Sequence, residues 1–154
     1  MSHKQTKNLY IKKWNEEAWG DPEKSLVIFR DEIIKNWNYE ICILEIETAL
    51  DQTGFLFVNW DRKELVFTGA SFNSHFSGRQ GSAYYSALTL LALLGLREIV
   101  TPVCYVKPDE NGKIGGEYLK KTILDFLDKS ITNLPTYLLR QEKNTPSIIK
   151  SPRQ

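Results

Sequence analysis

The side chains best placed by type and spacing to do chemistry lie in one polar run, Asn73-Ser74-His75-Phe76-Ser77-Gly78-Arg79-Gln80-Gly81-Ser82, set between an apolar strand and an apolar helix. Gly78 and Gly81 free the backbone to turn its amides toward a ligand, and Arg79 adds a planar fork of charged donors. Ser82 stands as the expected N-cap of the helix, whose partial positive charge acts on the same anion. Ser77, Gly78, Arg79, Gln80, Gly81 and Ser82, with His75, therefore form the candidate binding set, and its chemistry is recognition of an anion such as a phosphate-bearing small molecule. The run meets neither the Walker A nor the GxGxxG pattern, and a plain strand-to-helix connection is the alternative reading. His75 is of a residue type suited to acid–base work, but its neighbours do not set out a Ser-His-Asp arrangement.

Other constellations say less. Glu45 and Glu47 lie two apart on an expected strand, so their carboxylates share one face; with no third acid or histidine predictably beside them, a solvated strand face is expected and no metal site is assigned. Cys42 and Cys104 each interrupt an apolar strand run, which makes them buried free thiols rather than a disulfide or a zinc site.

These residues need a scaffold, and the pattern supplies one. Asp21-Pro22-Glu23 marks a helix start by cap, ring and charge, and Leu26, Phe29, Ile33 and Trp37 carry its apolar stripe to about Asn36. Tyr39–Leu50 reads as a strand with Cys42, Leu44 and Ile46 on one face and Glu45 and Glu47 on the other. Phe55–Trp60 and Glu64–Ala70 flank Asp61-Arg62-Lys63 as a hairpin. Ala83–Leu94 has no charged residue, so it is expected to be buried or covered by a partner, and it reads as the central core helix, closed by Gly95 in the left-handed conformation. Glu98–Val106 is a further strand, expected to run parallel to an earlier one, and about Glu117–Asn133 a last amphipathic helix ended by Pro135. Asn8–Lys12 reads as a short strand or an extended arm, and Trp14 and Trp19 as caps on a core edge.

The fold class expected is α/β (α+β): one three-layer domain over residues 1–140 with a mixed, mostly antiparallel sheet, element order α-β-β-β-α-β-α, and a polar disordered tail over 141–154. Within the 154 residues, 20 basic against 19 acidic side chains leave a net charge of +1, which gives no strong nucleic-acid signal. No apolar run suits a signal peptide or a membrane span, so a soluble cytoplasmic protein is expected.

The layout looks like that of the GNAT acyltransferases, in which loop amides at a helix start hold the pyrophosphate of acetyl-CoA. Arg79-Gln80-Gly81-Ser82-Ala83 would take that place, although alignment on Gly81 sets Phe76 and Arg79 where that family has its first basic residue and first glycine. The resemblance implies an acetyl-CoA or related thioester as co-substrate and a tyrosine, Tyr105 or Tyr118, as proton donor to the leaving thiolate. The same order is similar to the ribonuclease H fold, whose chemistry needs acids on the first strand, the core helix and the end of the next strand. Glu45 or Glu47 and Asp109 match the outer places, and the helix supplies no acid.

The function expected is that of a small non-enzymatic binding or regulatory protein recognising a phosphate-bearing ligand or a protein partner through the loop 74–82. A GNAT-like acyltransferase is the alternative, and a structural or homo-oligomerising subunit the second. No cofactor is specified by these residues.

Overall fold

The computed structural model describes residues 11–96, 103–134 and 137–139. In chain order they form β1 (Ile11–Lys13), a 3-10 turn (Glu16–Ala18), α1 (Pro22–Lys35), β2 (Glu40–Thr48), β3 (Thr53–Asn59), β4 (Glu64–Phe67), α2 (Gly78–Leu93), β5 (Val103–Val106), α3 (Gly116–Ser130) and β6 (Tyr137–Leu138). The expected order of helix, three strands, helix, strand and helix is present. β1 overlaps the short strand read over Asn8–Lys12, and β6 is an addition. The first residues of the arm or strand expected over Asn8–Lys12, those of the strand expected over Glu98–Val106, and the tail 141–154 lie outside the described residues.

The sheet runs β1-β4-β3-β2-β5, with β6 paired to the start of β2. β2, β3 and β4 form an antiparallel meander, while β1 lies parallel to β4 and β5 parallel to β2. Its two hairpins are tied by side chains at their turns. Thr48 Oγ1 donates to the Gln52 carbonyl at 2.9 Å beside Asp51, whose φ is 59°, and Asn59 Oδ1 accepts from the Arg62 amide at 2.8 Å.

Alternation along the strands divides the core into two layers. Cys42, Leu44, Ile46, Leu56, Val58, Phe67, Cys104 and Val106 face α3, which buries Leu119, Ile123 and Leu127. Ile41, Ile43, Phe55, Phe57 and Val66 face α1 and α2, which contribute Phe29, Ile33, Tyr84, Ala87 and Leu91. Three layers result, as expected, and both cysteines are buried and outside any disulfide. Trp14 and Trp19 cap the first layer at its edge, their rings 6.2 and 5.8 Å from that of Phe67.

α1 begins as its sequence dictates, with Asp21 Oδ1 accepting from the Lys24 amide at 3.2 Å and Pro22 in the first turn. Its inner side is fixed to the exit of β4 by buried hydroxyls: Ser25 Oγ lies 2.9 Å from the Thr68 carbonyl and 2.7 Å from Ser71 Oγ. At its far end Asn36 accepts from Asn59 Nδ2 at 2.6 Å, joining the helix to the end of β3.

The central helix departs from expectation. α2 starts at Gly78, one turn before Ala83, so Ser77 rather than Ser82 is its cap, and the Ser77 side chain makes no capping bond. It is buried on one side only, through Gly81, Ala83, Tyr84, Ala87 and Leu91. Ser82, Tyr85, Ser86, Thr89, Ala92 and Leu93 are exposed. Absence of charge does not require burial all round: small hydroxyl residues and alanines fill much of the outer side, and these are tolerated in water without charge. Gly95 does close the helix at φ 75°, with its amide on Ala92 O and that of Leu96 on Leu91 O, the paired bonds of a Schellman cap.

Candidate functional site

The loop 73–82 is folded onto itself before it becomes a helix. The Asn73 amide donates to Gln80 O at 3.1 Å, the Phe76 amide to Asn73 O at 3.0 Å and the Gly81 amide to Ser77 O at 2.8 Å. Asn73 Oδ1 takes the His75 amide at 2.8 Å. Phe76 adopts φ 61° and Gly78 φ 65°, so the turn uses the left-handed conformation twice within three residues. Gly81 is required by contact: a Cβ there would lie 2.6 Å from Phe76 Cα and 2.7 Å from its carbonyl oxygen. The space beside Gly81 is taken by the loop's own backbone.

The other predicted side chains separate. Arg79 is exposed and pairs with Glu23 of α1 at 3.0 Å, so its fork meets a carboxylate of the same chain. His75 Nε2 lies 3.4 Å from Asp51 Oδ1, both in solvent. Ser74 Oγ turns away to donate to Glu47 Oε2 at 3.1 Å, so Ser74, His75 and Asp51 form no relay. Ser82 is exposed, and its carbonyl accepts from Ser86 Oγ at 3.1 Å.

Sequence reasoning missed the aromatic character of this surface. Phe76 is 54% exposed and Tyr85 65% exposed, with ring centroids 6.2 Å apart, and the Phe76 ring also lies 5.3 Å from that of buried Tyr84. Phe76, Gly81, Ser82, Tyr85 and Ser86 line an open hollow of about 440 Å³. A second of about 230 Å³, lined by Pro22, Glu23, Leu26, Arg79, Ser82, Ala83 and Ser86, runs between the helices. Ser82 and Ser86 line both, so the first two turns of α2 form a ridge with a hollow on each flank. After Arg79 no charge occurs on α2, whereas α1 and α3 display Glu23, Lys24, Arg30 and Asp31, and Lys121, Asp125 and Lys129.

The strand beneath carries the pair Glu45 and Glu47. Contrary to the solvated face expected, Glu45 is buried and its carboxylate accepts from Tyr84 Oη at 2.7 Å. Burial pushes the Glu45 carboxyl up, the Tyr84 hydrogen bond opposes this, and Glu47 adds to it. Burial and the neighbouring carboxylate also raise the Tyr84 phenol well above its ordinary value. Among the described residues no three histidine, cysteine or acidic side chains converge to hold a metal. Asp109, the outer acid implied by the ribonuclease H resemblance, caps its own turn by accepting from the Asn111 and Lys113 amides at 2.9 Å. Of the two tyrosines implied by the acyltransferase resemblance, Tyr118 packs in the α3 layer, across the sheet from the loop; its hydroxyl donates to Pro108 O at 3.5 Å. Tyr105 is exposed on β5.

Among the described residues no helix is long and apolar enough to cross a membrane. Compared with family models, with curated proteins and with solved structures, the chain finds no match.

Proposed function

We propose that the chain is a non-enzymatic binding module that recognises a protein partner through the loop 74–82 and the outer side of α2. The observation that carries this reading is the uncharged ridge of α2 with Phe76 and Tyr85 exposed at its head. Aromatic side chains on a charge-poor surface match the composition of interface centres, where tyrosine and phenylalanine are enriched and lysine, glutamate and aspartate are depleted. The flanking hollows offer recesses for a partner's apolar side chains. Small-anion recognition by the same loop is the weaker form, because Glu23 engages Arg79 and the loop amides of Asn73, His75, Phe76 and Gly81 are bonded internally.

The test is site-specific photo-crosslinking in the native host, with a photoreactive phenylalanine at Tyr85 and, as control, at exposed Lys121 on α3. A discrete crosslinked protein at position 85 that is absent at 121 is expected. Identical products at both positions, or none at 85, would overturn the reading.

A further inference from the structure

The fold gives its other enclosed carboxylates a cation. Glu64 lies 2.8 Å from Lys35 Nζ and 3.3 Å from Arg62, and Lys35 also stands 4.0 Å from Glu32. Glu45 and Glu47 differ. Among the described residues no lysine or arginine reaches either, and their recorded side-chain partners are hydroxyls, Tyr84 Oη on Glu45 and Ser74 Oγ on Glu47. A carboxylate accepts at about four sites, so each retains unused acceptor capacity.

A second observation marks the same place. Thr53 is fully buried and stands in register with Glu47 on the adjacent strand, hence on the same side of the sheet; among the described residues its hydroxyl has no partner. On the other flank of β2, Val103 is in register with Glu45 and Tyr105 with Glu47. Both β5 side chains are exposed, so among the described residues no helix covers them. In this two-carboxylate shelf Glu47 lies between the buried Thr53 and the exposed ring of Tyr105, and Glu45 between Phe55 and the exposed Val103.

We propose that this shelf receives an arginine side chain of the protein partner, with the guanidinium shared between Glu45 and Glu47 and Tyr105 beside it. This rests on the protein-partner reading above and supplies that partner's chemistry. Ser74 joins the two surfaces, since it belongs to the loop and holds Glu47. The two acids stand about 7 Å apart along the strand, a span that a planar fork of five donors serves better than a point ammonium charge. An aromatic ring at the side adds cation–π attraction. A divalent ion fits less well, because it needs six or more oxygen ligands and among the described residues no third acid converges here. Burial already disfavours the ionised Glu45, and an entering cation would relieve that penalty.

The experiment is a heteronuclear NMR titration of the full chain with N-acetyl-arginine methylamide, its neutral citrulline analogue, and magnesium and calcium chlorides. Saturable shifts at Glu45, Glu47, Ser74 and Tyr105 are expected with the arginine probe and not with citrulline. Glu47→Gln, which keeps shape and the bond from Ser74, should weaken the probe by at least about tenfold without lowering the melting temperature. Equal shifts with citrulline, no saturable shift with arginine, or tighter binding of either metal ion would overturn the inference. Crosslinking at Tyr85 together with a failed titration would remove this shelf alone, whereas a successful titration without crosslinking would remove the α2 interface.

Discussion

Truncating successive leucines of α2 to alanine reads out which side of the helix meets the core. Leu91 is fully buried against the aromatic layer, Leu90 is half-buried, and Leu93 is 44% exposed. Replacing a fully buried leucine removes its transfer free energy and leaves a cavity, together about 2 to 5 kcal/mol. Leu93→Ala removes side-chain area of which nearly half is already wet and leaves no enclosed cavity, and its expected change is within about 0.5 kcal/mol. Leu90→Ala falls between. For a chain of this size each kcal/mol moves the melting temperature by about 2 to 4 °C, so Leu91→Ala should melt about 4 to 20 °C lower while Leu93→Ala is almost unchanged. Thermal and urea melts of the three variants, with matched urea slopes as the check on two-state behaviour, give the comparison. A Leu93→Ala loss equal to or larger than that of Leu91→Ala would refute the orientation of α2 and with it the exposed ridge.

Other outcomes follow from single contacts. Gly81→Ala should destabilise by about 1 to 3 kcal/mol, since its Cβ meets the Phe76 backbone; a neutral or stabilising result in urea melts would show that the loop relaxes freely. Glu45 has its carboxyl raised by burial in the folded state, so its contribution is fully present below the ordinary carboxylate value and is lost as pH rises through the folded one. Glu45→Gln, which still accepts from Tyr84, should therefore flatten this decline and melt higher than the wild type at pH 7, and a lower melting temperature there would contradict the assignment. Burial pushes the Cys104 thiol up to about 11, so thiol reagents at pH 8 should react with it only after denaturant is added, and fast native-state labelling would contradict its position.

Much of the fold was legible because the determinants are local. Asp21 and Pro22 start α1 wherever the helix later packs, and the alternation in Tyr39–Leu50 correctly assigned Cys42, Leu44 and Ile46 to one side of β2. β6 pairs with β2 across nearly a hundred residues, and no local pattern in Tyr137-Leu138 announces it. The candidate site was legible by place rather than by chemistry. The loop 74–82 does sit at the head of α2, but Arg79–Glu23 and Ser74–Glu47 are pairings between distant elements and depend on how the helix lies on the sheet. The lack of charge from Gln80 to Leu94 was a true signal with two physical meanings, enclosure or an uncharged surface. Serine, threonine and alanine at positions 82, 86, 89 and 92 were the residues that pointed to the second.

The central claim is that the aromatic head and uncharged ridge of α2 form a protein interface, and a charge placed there tests it most directly. Tyr85→Lys combined with Leu93→Lys changes two exposed side chains, so the purified variant should melt within a few degrees of the wild type. In an interface centre each lysine would be buried without a partner, at a cost of about 3 kcal/mol or more, equivalent to at least about a hundredfold in affinity. The measurement is affinity capture from the native host with wild-type and doubly substituted chains at equal levels, read against the protein crosslinked at position 85. The account predicts that this protein is recovered with the wild type and lost with the variant while both chains stay folded; equal recovery by the two would contradict it.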